Sequence, residues 1–62
     1  MKAVLTKDNI KISGICNESQ LEMVTECVEG SGCSYDSKNN GTVIIVNGTK
    51  EQIIKFIDLW NE

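Results

Sequence analysis

The side chains able to do chemistry in this 62-residue chain are few and one-sided: three cysteines, nine carboxylates and six lysines, with no histidine and no arginine. Cys16, Cys27 and Cys33 stand eleven and six residues apart, without a C-x-x-C pair. A tetrahedral zinc site would need a fourth ligand that no histidine supplies. A nucleophilic cysteine wants a neighbouring base, most often His, and general acid–base work leans on the same residue. The thiols therefore read as small hydrophobes at or near the core, or two of them as a disulfide. No catalytic residue, cofactor or metal site is expected. Three N-x-S/T sequons at Asn17, Asn40 and Asn47 arise readily in an Asn-rich chain and carry no weight.

The carboxylates are more informative. Glu18, Glu22, Glu26 and Glu29 follow one another at i, i+4, i+8 and i+11. At about 100° per helical residue they fall at roughly 0°, 40°, 80° and 20°, one narrow face. No lysine occurs between positions 18 and 29, so this segment carries −4 while the rest of the chain, with five acids against six bases, sums to +1. Like charges at i, i+4 cost roughly 0.2–0.5 kcal/mol each, and Glu29 opposes the helix dipole. By contrast, in the segment 50–62 Glu51 precedes Lys55 at i, i+4, the favourable order, and the acidic stripe with Asp58 and Glu62 is interrupted. The bland meaning of an acidic row is solubility in a good helix former. The functional meaning is docking onto a partner's cationic groove, with fast, salt-sensitive association. A loose divalent-cation site is a third possibility.

The elements that must hold this row can be read from periodicity. Residues 2–6 and 10–15 form two short strands, the second with Ile10 and Ile12 alternating against Lys11 and Ser13, joined by the turn-rich Thr6-Lys7-Asp8-Asn9. Asn17 caps a first helix, with Gln20 completing a capping-box pattern and Leu21, Val24 and Val28 as its apolar stripe. Gly30-Ser31-Gly32 ends it. A second hairpin spans 33–46 around Lys38-Asn39-Asn40-Gly41, and its apolar second strand, 42–46, suits a central place in a sheet. Thr49 and Gln52 repeat the capping pattern, and Ile53, Phe56, Ile57 and Trp60 make the buried stripe of the last helix. Trp60 is expected to seal the edge of the core, the alternative being a partly exposed anchor for a partner. The halves match at an offset of 32, pairing Gln20 with Gln52 and Val24 with Phe56, either through an old duplication or as any two capped amphipathic helices would.

The order ββαββα predicts a single α+β domain over 1–62, a two-layer sandwich. Right-handed crossovers give a four-stranded antiparallel sheet of order 1-2-4-3 with two helices on one face. This arrangement is similar to a ferredoxin-like fold circularly permuted so that its last strand comes first. One sheet face is then left bare. Val43 and Ile45 alternate with Ile44 and Val46, so one pair faces outward, and Tyr35 and Ile15 could join it in some registers. Such a patch would serve a protein contact or a homodimer. An edge strand is a further contact surface.

Composition closes off several classes of function. A net charge of −3 and a pI near 4.7 argue against direct nucleic-acid binding. Acylphosphatases share a related sandwich but hold phosphate with an Arg, absent here, and an RNA-recognition module stacks bases on exposed sheet aromatics. No apolar run approaches the ~20 residues that span a bilayer and no signal peptide is visible, so no membrane partner and a cytoplasmic location are expected. Lysine to the exclusion of arginine, with many Ile and Asn, suits an AT-rich bacterial or phage genome. In size, acidity and compactness the chain resembles small phage anti-defence proteins such as anti-CRISPR inhibitors. That resemblance implies a non-enzymatic inhibitor acting as a nucleic-acid mimic on a basic protein, such as a nucleic-acid-binding effector of a bacterial host. The contact residues expected are Glu18, Glu22, Glu26 and Glu29, with Tyr35, Val43 and Ile45 as a second surface. The alternative is a regulatory or assembly module that homodimerises through the open sheet face.

Overall fold

The computed structural model describes residues 1–7 and 9–62; Asp8, read in the sequence as part of the first connector, lies outside the described residues. The elements run β1 (Lys2–Leu5), β2 (Asn9–Ser13), α1 (Glu18–Ser31), β3 (Ser34–Lys38), a single 3-10 turn (Asn39–Gly41), β4 (Val43–Asn47) and α2 (Lys50–Trp60). The strands form one antiparallel sheet in the order β1-β2-β4-β3. The α+β topology is the one the sequence predicts.

Alternation decides which face is covered. Ile10 and Ile12 on β2 pair with Val46 and Ile44 on β4, and all four are buried. They meet Val24, Cys27 and Val28 of α1 and Ile53 and Phe56 of α2 in one core, with Cys33, Ile57, Leu59 and Trp60 packed at its margin. Phe56 and Trp60 stack with ring centroids 5.9 Å apart, so Trp60 does close the core's edge. Ile15 also enters this core, which removes it from the open face.

Side-chain caps set the helix ends. Asn17 accepts a hydrogen bond from the Gln20 amide at 2.9 Å, as an N-cap should. The return bond is displaced by one residue, since Gln20 Oε1 accepts from the Cys16 amide at 2.9 Å and not from Asn17. In α2 the box closes fully: Thr49 N donates to Gln52 Oε1 at 2.8 Å and Gln52 N donates to Thr49 Oγ1 at 3.2 Å. Gly32, at φ 77°, ends α1 by donating to Val28 O at 3.0 Å, a left-handed cap that glycine adopts at little cost. The two helices touch closely there, because a Cβ on Gly30 would lie 2.9 Å from Leu59 Cδ1.

The second hairpin is tighter and stranger than Asn-Gly alone implies. Asn39, Asn40 and Gly41 take φ of 50°, 57° and 86°, three consecutive residues in the left-handed region. Asparagine and glycine are the residues that tolerate it. Thr42 then ties the turn off, with its amide and hydroxyl donating to Asn39 O at 3.2 and 2.8 Å.

Candidate functional site

The four glutamates of α1 are all exposed and lie on the side of the helix roughly 180° from the buried Val24, Cys27, Val28 and Ser31. α1 contains no lysine, and its last turn has no basic residue. Among the described residues no lysine ammonium comes within 4.0 Å of any of these carboxylates. The row is therefore both aligned and unneutralised. Glu18 sits in the first turn, where the helix N-terminus favours it.

One member of the expected apolar stripe behaves differently. Leu21 is 36% exposed, while Cys27 and Ser31 are buried in its stead. The core side of α1 is centred near Val24 and Cys27, which leaves Leu21 on its margin. Ser31 is satisfied in burial by donating to Cys27 O at 2.7 Å.

The second expected surface is only partly assembled. Val43 and Ile45 do face away from the helices and are half-buried. Tyr35 does not join them: it pairs with Val46, whose side chain points to the helices, and opposite residues of an antiparallel pair share a face. It stands 45% exposed on β3, which offers no buried residue. The residues flanking Ile45 on its face are Lys11 and Asp36, and Lys38 lies opposite Val43. The open face thus presents three apolar side chains, Val43, Ile45 and, opposite Lys11, the exposed Val4, among charges.

The thiols are free. Cys27 is buried and Cys33 half-buried, as expected of small hydrophobes, but Cys16 is exposed just before the α1 cap, its thiol 3.3 Å from Gln20 Oε1. Burial, and secondarily the carboxylates of Glu26 and Glu62, push the Cys27 thiol up from its ordinary value. Among the described residues no three His, Cys, Asp or Glu side chains are grouped to hold a metal ion, so the glutamate row forms a line and not a cage. No helix of the described residues is long and apolar enough to cross a membrane.

A surface that pattern reading missed lies at the opposite end of the sheet. β1 has no buried residue, and Leu5 is 61% exposed. Beside it Ile54 of α2 is 51% exposed, about 60° around the helix from Ile57 and so off the buried stripe. Leu5, Ile53, Ile54 and Ile57 line a cleft of about 340 Å³ with Lys7 and Lys50 at its rim. The available signal was two large apolar residues, Leu5 and Ile54, placed where no stripe needs them.

No protein-family model, no curated protein and no solved structure matches this chain.

Proposed function

We propose that this chain is a non-enzymatic protein-binding inhibitor that lays the acidic face of α1 on a cationic groove of a nucleic-acid-binding protein, an anti-CRISPR-like role in a bacterial cytoplasm. The observation that carries this reading is the unbroken line Glu18, Glu22, Glu26 and Glu29, exposed and opposite the core, on a helix without lysine. Successive members at i, i+4 are displaced along the axis by about 6 Å, close enough to engage neighbouring Lys and Arg side chains that otherwise hold phosphates. The row also costs the isolated helix some stability, through like-charge neighbours at i, i+4. Attraction of this kind accelerates encounter and weakens as salt shortens the reach of exposed charge to about 8 Å at physiological ionic strength.

The open sheet face is the weaker alternative, a homodimer through Val43 and Ile45, because Lys11, Asp36 and Lys38 surround those two side chains. Capture from a bacterial lysate, comparing the native chain with the Glu22→Lys, Glu26→Lys double variant, tests the leading reading. A basic nucleic-acid-binding protein should be held by the native chain at low salt, released at raised salt, and displaced by added nucleic acid. Equal capture by both baits would reduce the row to a solubilising surface. A concentration-dependent dimer in sedimentation that Ile45→Glu abolishes would favour the alternative.

A further inference from the structure

The two edges of the sheet are built differently. β3 reads Ser34-Tyr35-Asp36-Ser37-Lys38, a polar strand with charges of both signs, the usual protection of an exposed edge against pairing. β1 reads Lys2-Ala3-Val4-Leu5, with one charge at its start and its bulkiest apolar side chain, Leu5, more than half exposed.

The free backbone groups of β1 can be assigned. Thr6 N donates to Asn9 O at 2.8 Å across the hairpin. Hydrogen-bonded and non-hydrogen-bonded pairs alternate along an antiparallel ladder. Lys2 and Val4 therefore direct their amides and carbonyls at β2, while Ala3 and Leu5 direct theirs to the free edge. Ala3 and Leu5 pair with Ile12 and Ile10, both buried, so their side chains point to the helix side of the sheet. That side holds the cleft of Leu5, Ile53, Ile54 and Ile57. It continues into a second apolar hollow where Ala3 and Leu5 meet Phe56, Ile57 and Trp60. The same two residues thus offer main-chain hydrogen bonds outward and an apolar floor beside them.

Charge distinguishes the ends of this trough. Lys7 and Lys50 line the Leu5 end, and among the described residues no carboxylate lines the cleft. Glu51 and Asp58 are exposed further round α2, beyond Ile54, and Asn61 closes the Ala3 end. We propose that the β1 edge with its adjoining cleft docks an extended segment of another protein, which adds a fifth strand to the sheet. Its alternate side chains are apolar and enter the cleft, and a carboxylate at one end meets Lys7 and Lys50. Strand addition of this kind takes affinity from main-chain hydrogen bonds and specificity from pockets for alternate side chains. A second copy of this chain is a poorer occupant, because two β1 strands paired about Val4 would set each Lys2 beside the other copy's Thr6 and Lys7. The surface is separate from the glutamate row and stands whether or not that row binds.

Selection of a randomised short-peptide display library on the purified native chain tests the proposal. Enriched peptides should alternate apolar residues and carry Asp or Glu at one end. Amide shifts on binding should concentrate at Ala3, Leu5, Ile54 and Ile57. N-methylation of the peptide backbone should abolish binding at alternate positions and leave it intact at the positions between. Leu5→Glu and Lys50→Glu should each weaken binding by roughly tenfold, the scale of one lost apolar or charged contact. Both residues are exposed, so unchanged thermal unfolding confirms that the variants fold. The Glu22→Lys, Glu26→Lys variant should bind the peptides as the native chain does. The proposal is overturned by any of three results: no enrichment above background, enriched peptides that are basic or that Leu5→Glu still binds, or a concentration-dependent dimer that Leu5→Glu disrupts.

Discussion

Gln52 shows how much one side chain holds here. Its Oε1 accepts from Thr49 N, closing the cap of α2, and its Nε2 donates to Gly32 O at 3.0 Å, tying the start of α2 to the end of α1. Gln52→Ala should lower unfolding free energy by about 1–2.5 kcal/mol, one cap plus one tertiary hydrogen bond. Gln20→Ala, which loses bonds only to Cys16, should cost less than half of that, and urea unfolding midpoints measure both. Cys27 gives a second expectation at this scale. Its thiol is raised in the folded state by burial and then by Glu26 and Glu62, so the unfolded chain loses that proton first as pH increases. Its contribution to stability is complete below the unfolded thiol's pKa and disappears as pH climbs through the folded value. Unfolding at a series of alkaline pH values should show this decline, and Cys27→Ala should flatten it. Alkylation followed by mass spectrometry should modify Cys16 first, Cys33 next and Cys27 last. The capping residues were legible because their partners lie three positions away. Cys27 and Cys33 follow their reading as small hydrophobes, whereas the exposure of Cys16, ahead of the α1 cap and outside any periodic element, was not legible.

Among the elements, β2 announces itself through alternation and α2 through its stripe, since in each the local period and the final burial agree, while β4 is legible as an apolar run whose inward pair only the register decides. α1 was legible as a helix and less so in its inner face, where small Cys27 and Ser31 replace Leu21 because α2 approaches at Gly30. The position of Tyr35 depended on strand register, which a polar β3 leaves unspecified in the sequence. The turn between β3 and β4 is the most demanding backbone among the described residues. Asn40→Ala places a Cβ-bearing residue without a locally bonding side chain at φ 57°, and should cost about 1 kcal/mol. Phe56→Ala removes the largest fully buried side chain and should cost about 3–5 kcal/mol. A chain of 62 residues has about 3–9 kcal/mol in all, so this one change removes a large share of it, and calorimetry should find the melting temperature lowered by roughly 12–40 °C.

For the molecule as a whole, charge is distributed unevenly: −4 along one face of α1, with Lys7 and Lys50 together at the cleft beside β1. Glu22→Lys should raise the stability of the free chain by a few tenths of a kcal/mol, through a new i, i+4 pair with Glu18, while slowing association with a cationic partner. Stopped-flow rates against ionic strength would separate these effects, since the native association rate should fall steeply with salt and the variant's much less. The acidic row could be read in advance because helical spacing alone creates it. The β1 cleft could not, as it exists only once Leu5 and Ile54, from opposite ends of the sequence, are brought together. The bond from Gln52 to Gly32 has a further consequence for cooperativity. Neither helix can fray at that junction without loosening the other, so heating should give one calorimetric peak in which the two halves melt as a unit, with amides at the close of α1 and the opening of α2 exchanging hydrogen together.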